Sequence, residues 1–274
     1  MRIDSHQHFW HYEPIKHEWI DDEMANIRKD FLPEDLAPIL HTNQVDGCVA
    51  VQADQTEEET NFLIALAKQH SFIKGVVGWV DLRAEHIEER LAYFQQEPIV
   101  KGFRHVLQGE EPAFMLQQSF KNGISKLKDF NFTYDLLLFP QHLKSATELV
   151  KENPDQAFVI DHIAKPFIKK GIIDGWKQDI QAIAQLPNVS IKVSGMVTEA
   201  DYKNWKKEDF TPYLDVITEA FGTDRILFGS DWPVCLVAAS YAEMQLIPKE
   251  YYASFSTSEQ EKIFGLNAQN FYNL

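Results

Sequence analysis

The stretch "RIDSHQHFW", residues 2–10, decides how the rest of the chain is read. It opens on a short apolar run and ends in His6 and His8, with Asp4 two residues before the first histidine. Side chains alternate across a strand, so Asp4, His6 and His8 are expected on one face. The same grammar, an apolar run closing on polar residues, recurs along the sequence. Candidate strands fall at 2–6, 47–53 (GCVAVQA), 75–80 (GVVGWV), 99–106 (IVKGFRHV), 132–139 (FTYDLLLF), 157–162 (AFVIDH), 189–195 (VSIKVSG) and 225–230 (RILFGS). Between them, residues 57–70, 85–95, 113–130, 142–153, 176–186 and 213–221 place apolar side chains at three- and four-residue intervals, as amphipathic helices do. Residues 9–33 read as a long loop, and the tail from 257 as a helix with a serine or threonine start.

Strand and helix alternating eight times imply a parallel sheet, open or closed. No glycine-rich phosphate loop follows any strand, and the count favours closure into a (β/α)8 TIM barrel. The 274 residues suit a single domain, 1–274, with 45% hydrophobic residues for its core. A formal charge of −15 argues against a nucleic-acid partner. No apolar run reaches membrane-spanning length, and no signal peptide pattern opens the chain. A cytoplasmic protein is expected, and two cysteines, Cys48 and Cys235, agree with a reducing compartment. Oligomeric state is open, and a homo-oligomer is compatible with the sequence.

In a barrel of this class the chemistry sits where strands end. His162 ends the sixth candidate strand and Asp231 follows the eighth, while Gln52, Asp81, Arg104 and His105 close the second, third and fourth. Singly, Asp231 can be a turn residue before Pro233, and His162 a hydrogen-bonded core histidine. Together with His6 and His8 they make a donor set for one borderline divalent ion such as zinc. An aspartate beside such a cluster can also take a proton from water attacking a carbonyl. A regular strand cannot aim both Arg104 and His105 inward; Arg104 is the one expected to face the site, clamping a carboxylate or polarising a carbonyl. Lys192, mid-strand between Ile191 and Val193, is expected to be an interior ion-pair partner for Asp4 or another acid, and Cys235 a small buried filler.

The blocks IDSHQHFW, VVGWVDL, KGFRHVLQ, DHIAKP, KVSGM, GSDWPVC and IFGLNAQNFY, in this order, resemble the amidohydrolase superfamily. The likeness is to its group of sugar- and aromatic-lactone hydrolases, and spans nearly the whole chain. It implies a distorted (β/α)8 barrel and a small lactone or sugar acid as substrate. His6, His8 and His162 then correspond to imidazole ligands. Asp231 corresponds to the aspartate that activates water and hands its proton to the leaving oxygen. Arg104 and His105 correspond to a substrate-binding pair, with Gln52, Trp79 and Asp81 lining the pocket. The superfamily's two-metal pattern is not matched: the fourth and fifth strands offer neither lysine nor glutamate at their ends, and His142 falls on the following helix. The resemblance leaves one divalent ion, zinc first, or a metal-independent site. Alternatives are a metal-dependent decarboxylase of aromatic acids and a non-catalytic barrel that keeps the pocket.

Overall fold

The computed structural model describes all residues, 1–274. Eight parallel strands follow one another in sequence order: β1 (Ile3–Gln7), β2 (Gly47–Val51), β3 (Ile73–Gly78), β4 (Val100–Val106), β5 (Thr133–Leu137), β6 (Phe158–Ile160), β7 (Val189–Val193) and β8 (Ile226–Phe228). The sheet rolls up so that β1 meets the segment after β8. His8 N donates to Trp232 O at 2.7 Å and Asp231 N to His6 O at 2.8 Å, while Ser5 Oγ donates to Phe228 O at 2.7 Å. This is a (β/α)8 barrel, and its closing seam is built from the backbone of the residues singled out in the sequence.

All eight strands lie within or beside the expected ranges. The amphipathic stretches form α2 (Glu57–Gln69), α3 (Ile87–Gln95), α4 (Gln118–Leu127), α5 (Leu143–Glu152), α6 (Trp176–Ile183) and α7 (Thr211–Phe221). Two helices carry no clear sequence pattern: α1 (Pro33–Thr42) and α8 (Tyr241–Tyr251), which contain Pro38 and Pro248. An internal proline removes a backbone donor and reads as a breaker, yet the buried faces of these helices hold them against the barrel. The tail begins at α9 (Thr257–Glu261) with Ser256 as its cap, then passes through one π turn into α10 (Asn267–Tyr272). No helix is long and apolar enough to cross a membrane.

The main core lies between sheet and helices, where residues such as Cys48, Ala50, Phe103, Tyr134, Phe158 and Ile191 face outward from the strands. Each fully buried large side chain there contributes roughly 1.5–3 kcal/mol. Inside the barrel a smaller apolar floor of Ile3, Val49, Val51, Val77, Val159 and Leu227 is plugged from below by Tyr272. Above that floor the interior turns polar and charged.

Asp4 departs from expectation. The β1–β2 register shifts between Asp4 and Gln7, so the strand carries one extra residue. Ile3 faces the interior and so does His6, but Asp4 turns outward, where its carboxylate accepts from the backbone N–H of His6 and Ser230 and lies against Tyr241 of α8. Asp4 therefore does not share a face with His6, and it is not the partner of Lys192.

Candidate active site

The seam places His6, His8 and Asp231 at one point. His8 Nδ1 lies 2.8 Å from the carbonyl of Val51 and donates to it, leaving the Nε2 lone pair facing inward. From that Nε2, His6 Nε2 is 3.2 Å away and Asp231 Oδ1 is 3.4 Å away. His162 Nε2 approaches the same carboxylate oxygen at 3.9 Å, and its Nδ1 bonds Ser194 Oγ at 2.9 Å. His6 Nδ1 has a donor, Lys192 Nζ, at 3.1 Å and an acceptor, Asp161 Oδ1, at 3.3 Å. With its proton on Nδ1, His6 donates to Asp161 and its Nε2 accepts from Arg104 Nη1 at 3.2 Å; with the proton on Nε2, it donates to His8 and its Nδ1 accepts from Lys192. Both arrangements are internally consistent.

The backbone delivers His162 in an unusual way. Residues His162, Ile163, Ala164 and Lys165 all have φ between 47° and 60°, and Asp231 has φ 59°. A left-handed residue other than glycine costs roughly 1–2 kcal/mol, so the run after β6 stores several. Burial of Ile163 and Ala164, the bond from Trp176 Nε1 to Ile163 O at 2.8 Å and the Lys165–Glu199 ion pair at 2.7 Å offset it. The turn also explains why Asp161 and His162, though adjacent, both face the interior. Gly195, at φ +58°, lies under this cluster: a Cβ there would sit 2.5 Å from His162 Nδ1 and 3.0 Å from Asp231 Oδ2.

Beneath the histidines runs a fully buried charge network. Lys192 Nζ is 2.5 Å from Asp135 Oδ2 and 2.9 Å from Asp161 Oδ1, and Arg104 Nη1 is 3.1 Å from Asp161 Oδ2. Tyr272 donates to Asp135 from below. Burial pushes the Asp161 carboxyl up, but Lys192, His6 and Arg104 hold it well below the usual carboxylate range. Asp135, buried and next to Asp161, is raised to about 6 despite Lys192. Burial drives His6 and His162 well below the ordinary imidazole value, so both are neutral near pH 7. Burial also opposes ionisation of Asp231, but its interactions with His162 and His8 and the charge of Lys165 outweigh it and bring the group below its usual value.

The open face of this cluster is a cavity of about 280 Å³ at the C-terminal ends of the strands. His8, Arg104, His162 and Asp231 line its base, with Lys165, Glu199, Tyr202, Gln108 and Trp19 among its walls. The volume suits a monosaccharide-sized ligand. Of the residues expected around it, Gln52 instead positions Arg104: its carbonyl accepts from Arg104 Nη2, and its Nε2 donates to Arg104 O. Trp79, Asp81 and His105 do not reach the cavity. Alternation along β4 turns His105 outward, where it stacks on Phe114, lies 3.2 Å from Glu110 and 3.4 Å from Trp79 Nε1. Asp81 pairs with Arg83 on the surface, and His142 is tied to Glu110 O at 2.8 Å. Cys235 is buried as filler. Sequence reading missed Asp161, Asp135, Lys165 and Glu199. Asp161 was hidden by the alternation rule, while Lys165 in DHIAKP was in plain view.

The sequence model of the amidohydrolase family, described as "Amidohydrolase", matches residues 3–274. The chain belongs to this family. It is 36% identical over 286 residues to an L-fucono-1,5-lactonase of Burkholderia multivorans, an alignment covering 100% of this chain and 96% of that protein. A crystal structure of an amidohydrolase from Burkholderia multivorans with bound zinc superposes with a TM-score of 0.97 at 36% identity, covering 100% and 99% of the two chains. A 2,6-dihydroxybenzoate decarboxylase from Rhizobium, at 13% identity, TM-score 0.69 and coverage of 99% and 98%, shares the fold.

In this amidohydrolase the ligand atoms of His6, His8 and Asp231 lie within 4.8 Å of one another, as do those of His6, Asp161 and His162. A four-coordinate ion with arms of 2.0–2.1 Å has ligand-to-ligand edges of about 3.4 Å. The His6–His8 and His8–Asp231 separations of 3.2 and 3.4 Å fit that edge, and the His6–Asp231 separation of 4.0 Å is longer. The donor chemistry therefore fits one ion.

Proposed function

We propose that the chain hydrolyses the internal ester of a lactone, specifically a sugar-acid lactone. The observation that carries this reading is the placement of the Asp231 carboxylate at the base of a small cavity, beside neutral imidazoles, with the Arg104 guanidinium lining the same base. The full-length likeness to proteins named L-fucono-1,5-lactonase, one at 36% and one at 32% identity, supports it.

Asp231, held ionised, accepts a proton from water as the oxygen attacks the ring carbonyl carbon. Charge grows on the carbonyl oxygen, and the Arg104 guanidinium at the cavity base provides a fixed positive field for it. Collapse of the tetrahedral species breaks the bond to the ring oxygen, and Asp231 returns the proton to that oxygen. The product is one open hydroxy acid, which dissociates as a carboxylate. His8, with its Nδ1 proton committed to Val51, keeps a lone pair beside Asp231 to receive a water hydrogen bond. The Asp161–Lys192–Asp135 network holds His6 and Arg104 in register below.

His6, His8 and Asp231, with His162 close by, would hold a divalent ion, and the zinc-bound relative makes zinc the first choice. When bound, such an ion polarises a carbonyl and acidifies water. Arg104 Nη1 at 3.2 Å and Lys192 Nζ at 3.1 Å from the ring nitrogens of His6 oppose a dication, so modest affinity follows. An aromatic acid decarboxylase is a weaker reading, because that likeness extends to the fold alone.

The test is a pH-stat assay on a panel of aldonolactones, with and without chelator, for the native protein and Asp231→Asn. Loss of a general base lowers turnover by about 10²–10⁴-fold. Full activity in a folded Asp231→Asn protein would falsify the mechanism, and inactivity of the native protein on every lactone would remove the function.

A further inference from the structure

We propose that Lys165 and Glu199 form a diol-reading clamp that restricts the site to neutral, polyhydroxylated lactones. The inference rests on the lactonase reading and narrows it.

Lys165 Nζ lies 2.7 Å from Glu199 Oε1, and both side chains line the cavity. They are partly exposed, at 16% and 18%, so the pair faces the ligand space and is not sealed in the core. The pair is only half satisfied. Glu199 Oε1 takes Lys165, the hydroxyl of Thr198 being given to Gly195 O at 2.7 Å, while Oε2 has no protein partner. Lys165 donates one of its three N–H bonds. One free acceptor beside two free donors complements neighbouring hydroxyls on a sugar ring: one donates to Oε2, the next accepts from Nζ. The aromatic walls, Trp19 and Tyr202, offer faces for the apolar side of such a ring.

Charge balance points the same way. The cavity holds two cations, Arg104 and Lys165, and two carboxylates, Asp231 and Glu199. Each cation already has a carboxylate partner, Arg104 in Asp161 and Lys165 in Glu199. A lactone bearing carboxylates meets no cation without a carboxylate partner, the carboxylate of Asp231 at the base, and a chain of net charge −15 around them. A neutral ring meets hydrogen-bonding groups that need partners.

The left-handed turn gives this pair its position. It carries His162 to the reacting centre and, three residues on, Lys165 to the wall. The Lys165–Glu199 bond then ties the loop after β6 to the loop after β7. Reaction centre and specificity element are thus set by one piece of backbone.

The experiment compares the native protein with Glu199→Gln and Lys165→Met on the best aldonolactone and on δ-valerolactone, which has the ring ester without hydroxyls. Binding of 1,5-anhydrohexitols, sugar rings with no carbonyl, is measured alongside by calorimetry. Loss of a charge-assisted hydrogen bond should lower kcat/KM on the aldonolactone by about ten- to a hundredfold, mostly through KM. Both variants also loosen the turn that carries His162, so δ-valerolactone turnover reports that shared loss, and the loss on the aldonolactone should exceed it by about tenfold or more. Anhydrohexitol affinity should fall in parallel with the aldonolactone. An equal loss on both lactones overturns the clamp while leaving the lactonase reading intact. If the native protein opens neither lactone, the lactonase reading fails, and unchanged anhydrohexitol binding in Glu199→Gln overturns the clamp as well.

Discussion

Gly195→Ala separates backbone strain from damage to the reacting groups. Gly195 has φ +58°, and a Cβ there would lie 2.5 Å from His162 Nδ1 and 3.0 Å from Asp231 Oδ2, against ordinary contacts beyond 3.4 Å. The left-handed backbone alone costs alanine about 1–2 kcal/mol. Relieving the contact requires the imidazole to move by nearly 1 Å, which breaks its 2.9 Å bond to Ser194. A displacement of that size at a reacting group costs on the order of a hundredfold in rate. Gly171 is the control: its φ is +62° and an added Cβ meets nothing within 4 Å. Gly171→Ala should lose about 1–2 kcal/mol of stability and keep its turnover. Gly195→Ala should lose somewhat more stability and about a hundredfold in kcat. Denaturant titration and lactone hydrolysis, run on both variants, decide the matter. Equal activity in the two would show that the His162–Asp231 geometry does not limit catalysis.

Lys192→Met strands the buried carboxylates of Asp135 and Asp161, and breaking such a pair should cost about 3–5 kcal/mol. Adding Asp135→Asn should recover part of that loss; strict additivity in denaturation would show that the two residues are not coupled. Asp4, raised by burial from 3.8 to about 6, binds a proton in the folded chain that the unfolded chain releases, so its contribution to stability falls as pH rises between these values. Asn at position 4 keeps the acceptor for His6 N and Ser230 N, so the advantage of Asp4→Asn should grow from near zero at pH 4 to roughly 2–3 kcal/mol at pH 8. A gap that does not widen with pH, measured by urea denaturation, would refute the buried-acid account.

The barrel was legible because eight strands carry runs of apolar residues closing on polar ones. That signal needs only local alternation. Helices α1 and α8 were not legible, since Pro38 and Pro248 interrupt their patterns and tertiary packing supplies what local propensity lacks. In the site, strand-end positions pointed to His6, His8, Arg104, His162 and Asp231, and these converge. Alternation failed where the backbone is irregular. The extra residue in β1 after Asp4 puts His6 on the interior side with Ile3 and leaves Asp4 outward, and positive φ at His162 lets Asp161 face inward beside it. Trp79 and His105 lie at strand ends too, but on the side that packs beneath the loops, and composition alone does not distinguish those sides. The partners of Lys192 come from β5 and the turn after β6, a juxtaposition that closure of the sheet creates.

Because the barrel is zipped shut by the peptide groups of His6, His8, Asp231 and Trp232, the catalyst cannot exist in a half-made molecule. A nascent chain holds its two N-terminal histidines idle until residue 232 has left the ribosome. Any fluctuation that parts the first strand from the last also dismantles the reaction centre. Loss of turnover should thus be the earliest sign that the cylinder has begun to open, ahead of any change in helix content.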